Sequence, residues 1–327
     1  MSGVDPAPTN ASANRSIRWA RPVSWLIGVA LIALAVWAVA RSGTSVSALW
    51  DAIRAAPPQS IALLLGLIAL TPICSSAMFW VLTRRYARIT FGENTALTLA
   101  SWLLNYLPLA PGLLGRLAYL KAARGMPIAH GARVIIWANV LSVIAAVGLL
   151  LTLGVGAMAV GPGWGLGAIS LAPAALLGAF AWYARIKKPQ PDPEVWRLIA
   201  ALAVRWLELH VWAARYWVVF DLLGTPVGWG GALALAGIAG VAVLFPLAPN
   251  GLGLREWAVG LALPLLPASL AYSVGLTSAS GLSAELLHRG CELAIALVLG
   301  IAACAVLAVR LRSAVRTRPN ERETPSH

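Results

Sequence analysis

Charge is what this sequence has least of. Only 11% of its 327 residues are charged, 59% are hydrophobic, and mean hydropathy is +0.78. A soluble domain carries about 25% charged residues, so this chain cannot cover a globular surface with polar side chains. That excludes a soluble fold, a disordered chain and a nucleic-acid-binding module. Cysteine is also scarce. Cys74, Cys291 and Cys304 lie far apart inside apolar stretches, without a Cys-x-x-Cys pair. This argues against a disulfide scaffold, a zinc site and a redox motif. Catalytic signatures are missing as well: there is no acidic pair spaced for Mg²⁺ in a loop, no phosphate-binding Gly-rich loop and no His-rich set. Ser101, Ser142 and Ser170 have no evident base near them. The residues call for neither a metal nor a cofactor.

Long apolar runs are plentiful. A membrane-spanning helix needs about 20 apolar residues, and 22–40, 59–83, 130–156, 164–184, 194–221, 268–287 and 290–309 meet that need. Tryptophans such as Trp50, Trp80, Trp164, Trp182 and Trp229 sit at the edges of these runs, where amphipathic rings favour a bilayer interface. The first run follows Arg15, Arg18 and Arg21 and ends in Ala38-Val39-Ala40, which mimics a signal-peptidase site. Its length favours an uncleaved first helix. Residues 1–14 read as a disordered cytoplasmic tail and 313–327 as a basic disordered one. A single transmembrane domain over 15–312 lies between them.

The net charge of +13 reflects arginine; lysine occurs only at Lys121, Lys187 and Lys188. Basic residues mark cytoplasmic loops. With the N-terminus inside, the groups at Arg84, Arg85 and Arg88, at Arg116, Lys121, Arg124 and Arg133, and around 185–197 all fall on the cytoplasmic side. This holds only if 91–125 enters from the cytoplasm and returns to it. Arg310, Arg312, Arg316 and Arg318 also want to be inside, yet three ordinary crossings after residue 194 put them outside. Either one late segment does not cross or the tail breaks the rule.

Two stretches, 91–125 and 229–266, are apolar but interrupted near the middle by Pro and Gly, so each predicts a helix, a break and a second helix. They share sequence: LPLAPGLLGR at 107–116 and FPLAPNGLGLR at 245–255. Pro108 matches Pro246, Pro111 matches Pro249, and after a one-residue gap at Asn250, Gly112 matches Gly251 and Arg116 matches Arg255. Spans 130–156, 164–184 and 194–221 separate the copies, and an odd number of crossings makes them antiparallel. The expectation is an all-α bundle of two inverted repeats, about 59–184 and 194–309, each with a re-entrant broken helix of the kind transporters place at a midplane cavity. Unwound backbone at membrane depth is tolerated only in protein or beside a cavity. Pro108, Pro111, Pro246 and Pro249 end the incoming helices. Gly112, Gly251 and Gly253 allow close approach or positive φ at the breaks.

These motifs resemble the transmembrane region of the lysylphosphatidylglycerol synthase/flippase family. Asn105-Tyr-Leu-Pro108 with Gly112 and Arg116 is similar to its first signature. Pro246 and Pro249-Asn250-Gly251-Leu252-Gly253 with Glu256 are similar to its second. Asn250 replaces the usual first Gly, and Leu113 stands where an acidic residue often follows Gly112. The resemblance implies a multi-pass protein of the bacterial inner membrane that moves an envelope lipid or supports its synthesis. Its partners are then membrane lipids and envelope-lipid biosynthetic enzymes. The soluble synthase domain that follows this region in the multiple peptide resistance factor is missing, so no aminoacylation is expected.

Ionisable residues inside spans are functional candidates by default. Arg205 and Glu208 are three apart and can pair; they are either a self-neutralised structural pair or a wall of a headgroup cavity. His210 reads as a helix-packing residue. Glu285, His288, Arg289 and Glu292 either share one face of a continuous helix or mark a cytoplasmic turn. Arg116 and Arg255 follow the breaks near new helix starts, where unpaired N–H groups favour anions and a guanidinium fork suits phosphate. They either contact lipid phosphate or snorkel to the interface. Glu256 would orient Arg255 or meet a cationic headgroup. Arg116, Arg255, Glu256, Asn105, Asn250, Arg205, Glu208 and Arg289 are the candidate lipid contacts.

Overall fold

The computed structural model describes residues 29–30, 32–34, 36–37, 40, 46–107, 111–160, 164–186, 193–244, 251–267, 270 and 276–316. Pro108, Pro246, Pro249 and Asn250 lie outside these residues, as do the tail 1–14 and residues 317–327 of the basic tail. The described part of the first apolar run is helical. Among the described residues every regular element is a helix. They are α1 (Val46–Ala55), α2 (Pro58–Thr83), α3 (Phe91–Leu104), α4 (Pro111–Arg124), α5 (Ile128–Val160), α6 (Trp164–Ile186), α7 (Pro193–Leu222), α8 (Trp229–Leu244), α9 (Leu254–Ala262) with a 3-10 turn at Leu263–Leu265, and α10 (Ser278–Arg316).

Among the described residues four helices are long and apolar enough to cross a membrane: Pro58–Thr83, Ile128–Gly156, Gly165–Tyr183 and Ser278–Ser313. Their outward faces carry exposed Leu151, Leu176, Val298 and Val309, and Leu, Ile and Val need no water partners in lipid. α7 is too charged for that set, yet it occupies the centre, packed against α2, α5, α6 and α8. Its core contribution is continuous, with Trp206, Leu209, Ala213, Tyr216, Val219 and Phe220 buried. α8 is apolar on all sides and mostly buried, as expected of a helix ringed by protein. Its glycines let neighbours approach: a Cβ on Gly237 would stand 2.8 Å from Leu150 Cδ2, the small-residue contact typical of membrane helices.

Both interrupted stretches break. α3 and α4 pack on each other across the first break, and α8 and α9 across the second. At about 1.5 Å per residue, α3, α4 and α8 span roughly 21–24 Å and α9 less, all short of the roughly 30 Å hydrocarbon core. Thr90 starts α3 by accepting from Glu93 N at 3.3 Å. Pro111 opens α4 at the position where its missing N–H costs nothing. Gly112 closes the first hairpin: its Cα faces Ser101 O and Asn105 so closely that no Cβ fits, and Ser101 Oγ donates to Gly112 O at 3.0 Å. In the second break Gly251 and Gly253 hold φ of 66° and 79°, which L side chains rarely adopt.

One expectation is overturned. Residues 268–287 and 290–309 are not two spans; α10 is one helix from Ser278 to Arg316. Thr277 caps it, with Ser280 N donating to Thr277 Oγ1 at 3.2 Å. The charged stretch Glu285–Glu292 reads as a turn only when taken alone. Arginines from α7 and α9 neutralise it, so the helix runs on through the interior. α10 ends beside the start of α3, where Arg310 Nη1 and Glu93 Oε2 are 3.8 Å apart. Glu93 also pairs with Arg124 at the end of α4. Arg310 therefore sits at the same end of the bundle as Arg124.

Candidate functional site: a charged cavity between the broken helices

A cavity of about 190 Å³ lies where α2, α3, α4, α7, α9 and α10 converge. Of the sequence candidates, Asn105, Arg116, Arg205, Glu208, Arg255 and Arg289 line it. Glu256 does not; it sits behind Arg289. Asn250 is outside the described residues.

α7 forms one wall. Arg205 Nη1 and Glu208 Oε1 are 2.8 Å apart, and Ser75 of α2 donates to the same carboxylate at 2.6 Å. The pairing expected from their spacing is therefore present, on a face that also carries Trp212 and Arg215. Trp212 is the hub of that wall, with the guanidiniums of Arg205, Arg215 and Arg255 5.4–5.9 Å from its ring centroid. Such cation–π contacts soften the burial of positive charge.

Glu292 of α10 collects three arginines. Arg255 meets it twice, Nη2 to Oε2 at 3.0 Å and Nη1 to Oε1 at 3.3 Å. Arg289 Nη1 donates to Oε2 at 3.1 Å. Arg215 Nη2 donates to Oε1 and its Nη1 to Thr71 Oγ1 at 2.9 Å. Arg255 Nε also donates to Glu285. Arg255 is thus oriented by Glu285 and Glu292 of α10. The hydrogen bond of Glu256 goes elsewhere: it accepts from Arg289 Nε at 3.0 Å. His288 completes the cluster, Nδ1 3.4 Å from Glu285 Oε2, with its ring against Tyr216.

Arg116 stands apart from this network. It reaches from α4 to α3, with Nη2 donating to Asn94 Oδ1 and Nη1 to Thr98 Oγ1 at 3.2 Å. Asn94 is itself anchored, donating to Ser76 O at 2.7 Å. The guanidinium lies 4.1 Å from the Phe79 ring centroid. Arg116 is 3% exposed, and no carboxylate among the described residues comes within ion-pairing distance. It is buried, not snorkelled.

Several polar atoms around the cavity lack a hydrogen-bond partner among the described residues: Asn105 Oδ1, Arg205 Nε, Glu208 Oε2 and Trp212 Nε1. Buried polar atoms are normally satisfied, so these mark a space built for water or a ligand.

Asn94, Trp212, Arg215 and Glu292 escaped the sequence-based candidate list. For Trp212 and Arg215 a signal existed, since 205, 208, 212 and 215 follow helical spacing on one face. Asn94 had none, because its role depends on α4 folding back. The structure also gives Ser170 a neighbour that the sequence hid: His210, 40 positions later, lies with Nε2 3.0 Å from its Oγ. His210 Nδ1 is 3.0 Å from Trp206 O, and both residues are buried, which makes this a helix-packing contact.

The fold and site define a multi-pass α-helical membrane protein with a buried, arginine-rich polar cavity between broken helices. The sequence model described as the lysylphosphatidylglycerol synthase TM region matches residues 25–300. The chain belongs to that family. No curated protein matches it.

Proposed function

We propose that the protein moves a phospholipid or a lipid-linked headgroup between the leaflets of the bacterial inner membrane. The observation that carries this reading is that Arg116, from the first broken stretch, and Arg255, from the second, line one polar cavity. Buried arginines surrounded by unsatisfied polar atoms are suited to a phosphate. In this reading α3–α4 and α8–α9 are re-entrant hairpins of two inverted repeats, entering from opposite sides, and alternating access works around their breaks.

Orientation follows the basic residues. With the N-terminus cytoplasmic, α5, α6 and α7 each cross, and α10 returns the chain to the cytoplasm. The proximity of Arg310 and Arg124 to Glu93 supports this path. Single-cysteine variants at residues 190 and 320 are expected to react with a membrane-impermeant maleimide only after the cytoplasmic side is opened. Labelling of residue 320 from the outside would refute it.

The test of transport is headgroup exposure in liposomes containing the purified protein and fluorescent phospholipids. Wild type is expected to expose inner-leaflet lipid, while Arg116→Ala and Arg255→Ala, expressed normally, lose activity. No translocation across several lipid classes would sink the proposal. That result would favour an accessory subunit or a membrane transferase of envelope-lipid synthesis. The transferase alternative is weakened by Glu256, its best carboxylate, which is tied to Arg289 and does not line the cavity.

A further inference from the structure

Of the buried arginines, one has no carboxylate of its own; Glu93, the remaining buried carboxylate, is taken by Arg124 and Arg310 at the edge of the bundle. Arg205 is matched by Glu208. Arg215, Arg255 and Arg289 are matched by Glu256, Glu285 and Glu292. Counting His288 as neutral, those groups cancel. Arg116 remains, held among the described residues by neutral Asn94 and Thr98 and by the face of Phe79. The undescribed break segments 108–110 and 245–250 contain no ionisable residue, so they cannot supply its counter-charge. A buried guanidinium without a carboxylate is costly. Leu113, three residues before Arg116, also lines the cavity and offers nothing to a cationic group.

A second feature adjoins this charge. A groove of about 370 Å³ runs between α3, α4 and the far half of α10, lined by Leu97, Leu104, Ala118, Leu307 and Leu311. Its rim residues Gly115, Ala122 and Ala308 are exposed on the outside of the bundle. Ser101 and Arg116 line both the groove and the polar cavity. A polar chamber holding one arginine that no carboxylate pairs therefore meets an apolar channel open to the bilayer at Arg116.

We propose that the cargo is a lipid whose headgroup carries a net charge of −1, a phosphodiester without an amine, with its phosphate on Arg116 and one acyl chain in the α3–α4–α10 groove. This rests on the lipid-transport reading above and narrows it: a zwitterionic or cationic headgroup would bring its ammonium against Arg116, beside which stand neutral Asn94 and Thr98, while the carboxylate oxygen this cavity leaves without a partner, Glu208 Oε2, belongs to the group already paired with Arg205 on α7. The groove distinguishes a lipid from a free anion.

The test uses the full-length protein in two assays with lipids of identical acyl chains. The lipids are phosphatidylglycerol (−1), phosphatidylethanolamine (0) and lysylphosphatidylglycerol (+1). Native mass spectrometry reads retention from an equimolar mixture, and liposome assays read translocation. Phosphatidylglycerol is expected to be favoured by about tenfold or more, the size of one charge-assisted contact. Arg116→Lys should keep the preference and Arg116→Gln should erase it. Leu113→Glu, which adds a carboxylate beside Arg116, should move the preference toward the zwitterionic or cationic lipid. Equal or greater retention of phosphatidylethanolamine or lysylphosphatidylglycerol by wild type would overturn the assignment, as would unchanged selectivity in Leu113→Glu. Displacement of phosphatidylglycerol by sn-glycerol 3-phosphate at equal concentration would overturn the lipid part of it. Translocation without headgroup preference would refute this inference and leave transport standing. Selective retention without translocation would do the reverse.

Discussion

Glu292→Ala is expected to be the most damaging single substitution in the charged interior, at a cost of about 3–5 kcal/mol. The carboxylate accepts from Arg215, Arg255 and Arg289, which arrive from α7, α9 and α10. Removing it leaves three guanidiniums close together, with Glu285 and Glu256 the carboxylates among the described residues that answer them. Like charges then repel in a medium that screens them poorly, and α9 loses much of its attachment to α10. Thermal unfolding of the detergent-purified protein, followed by size-exclusion chromatography, should show a sharply lowered midpoint. Glu208→Ala is the comparison. Glu208 answers only Arg205 and Ser75, so its loss should cost clearly less. Equal stability of the two variants would mean that Glu292 does not organise the cluster.

The second large effect is steric. Gly112→Ala should open the first hairpin, because a Cβ there would stand 2.2 Å from Ser101 O and 2.4 Å from Asn105 Oδ1. The obstacle is backbone, which cannot rotate away as a flexible side chain would. Overpacking of this kind costs about 1–3 kcal/mol or more. The Ser101–Gly112 hydrogen bond goes with it, and Arg116, one turn further along α4, leaves Asn94 and Thr98. The proposed lipid transport should therefore fall more steeply than stability. Gly115→Ala is the control on the same helix, since its added Cβ would meet only Leu104 Cδ1 at 4.0 Å. Measured side by side, Gly115→Ala should melt like wild type. A tolerated Gly112→Ala would refute the close contact between α3 and α4.

The comparison of sequence and structure turns on locality. Apolar runs, the two Pro–Gly interruptions and the Arg205–Glu208 spacing were legible because each is set by neighbours along the chain. The same local rule divided 268–309 into two spans: three charges and a histidine within eight residues fitted either one helical face or a turn, and α10 runs straight through them. Its continuity depends on Arg215, 77 positions before Glu292, and on Arg255, 30 positions before Glu285. Glu256 was read either as orienting its sequence neighbour Arg255 or as meeting a cationic headgroup, while its hydrogen bond goes to Arg289, 33 positions away.

The sequence by itself determined that this chain lives in a membrane, that it is built of helices, and that two of its apolar stretches must break. Those conclusions follow from hydropathy and from the missing N–H of proline, which need no partner. Only the tertiary structure decided which arginines are neutralised and which one is not. Coulomb pairing depends on distance across helices, and distance is what folding supplies. Arg116 and Arg255 occupy equivalent places in the two repeated motifs. One emerged held by Glu285 and Glu292, and the other was left with an amide, a hydroxyl and an aromatic face.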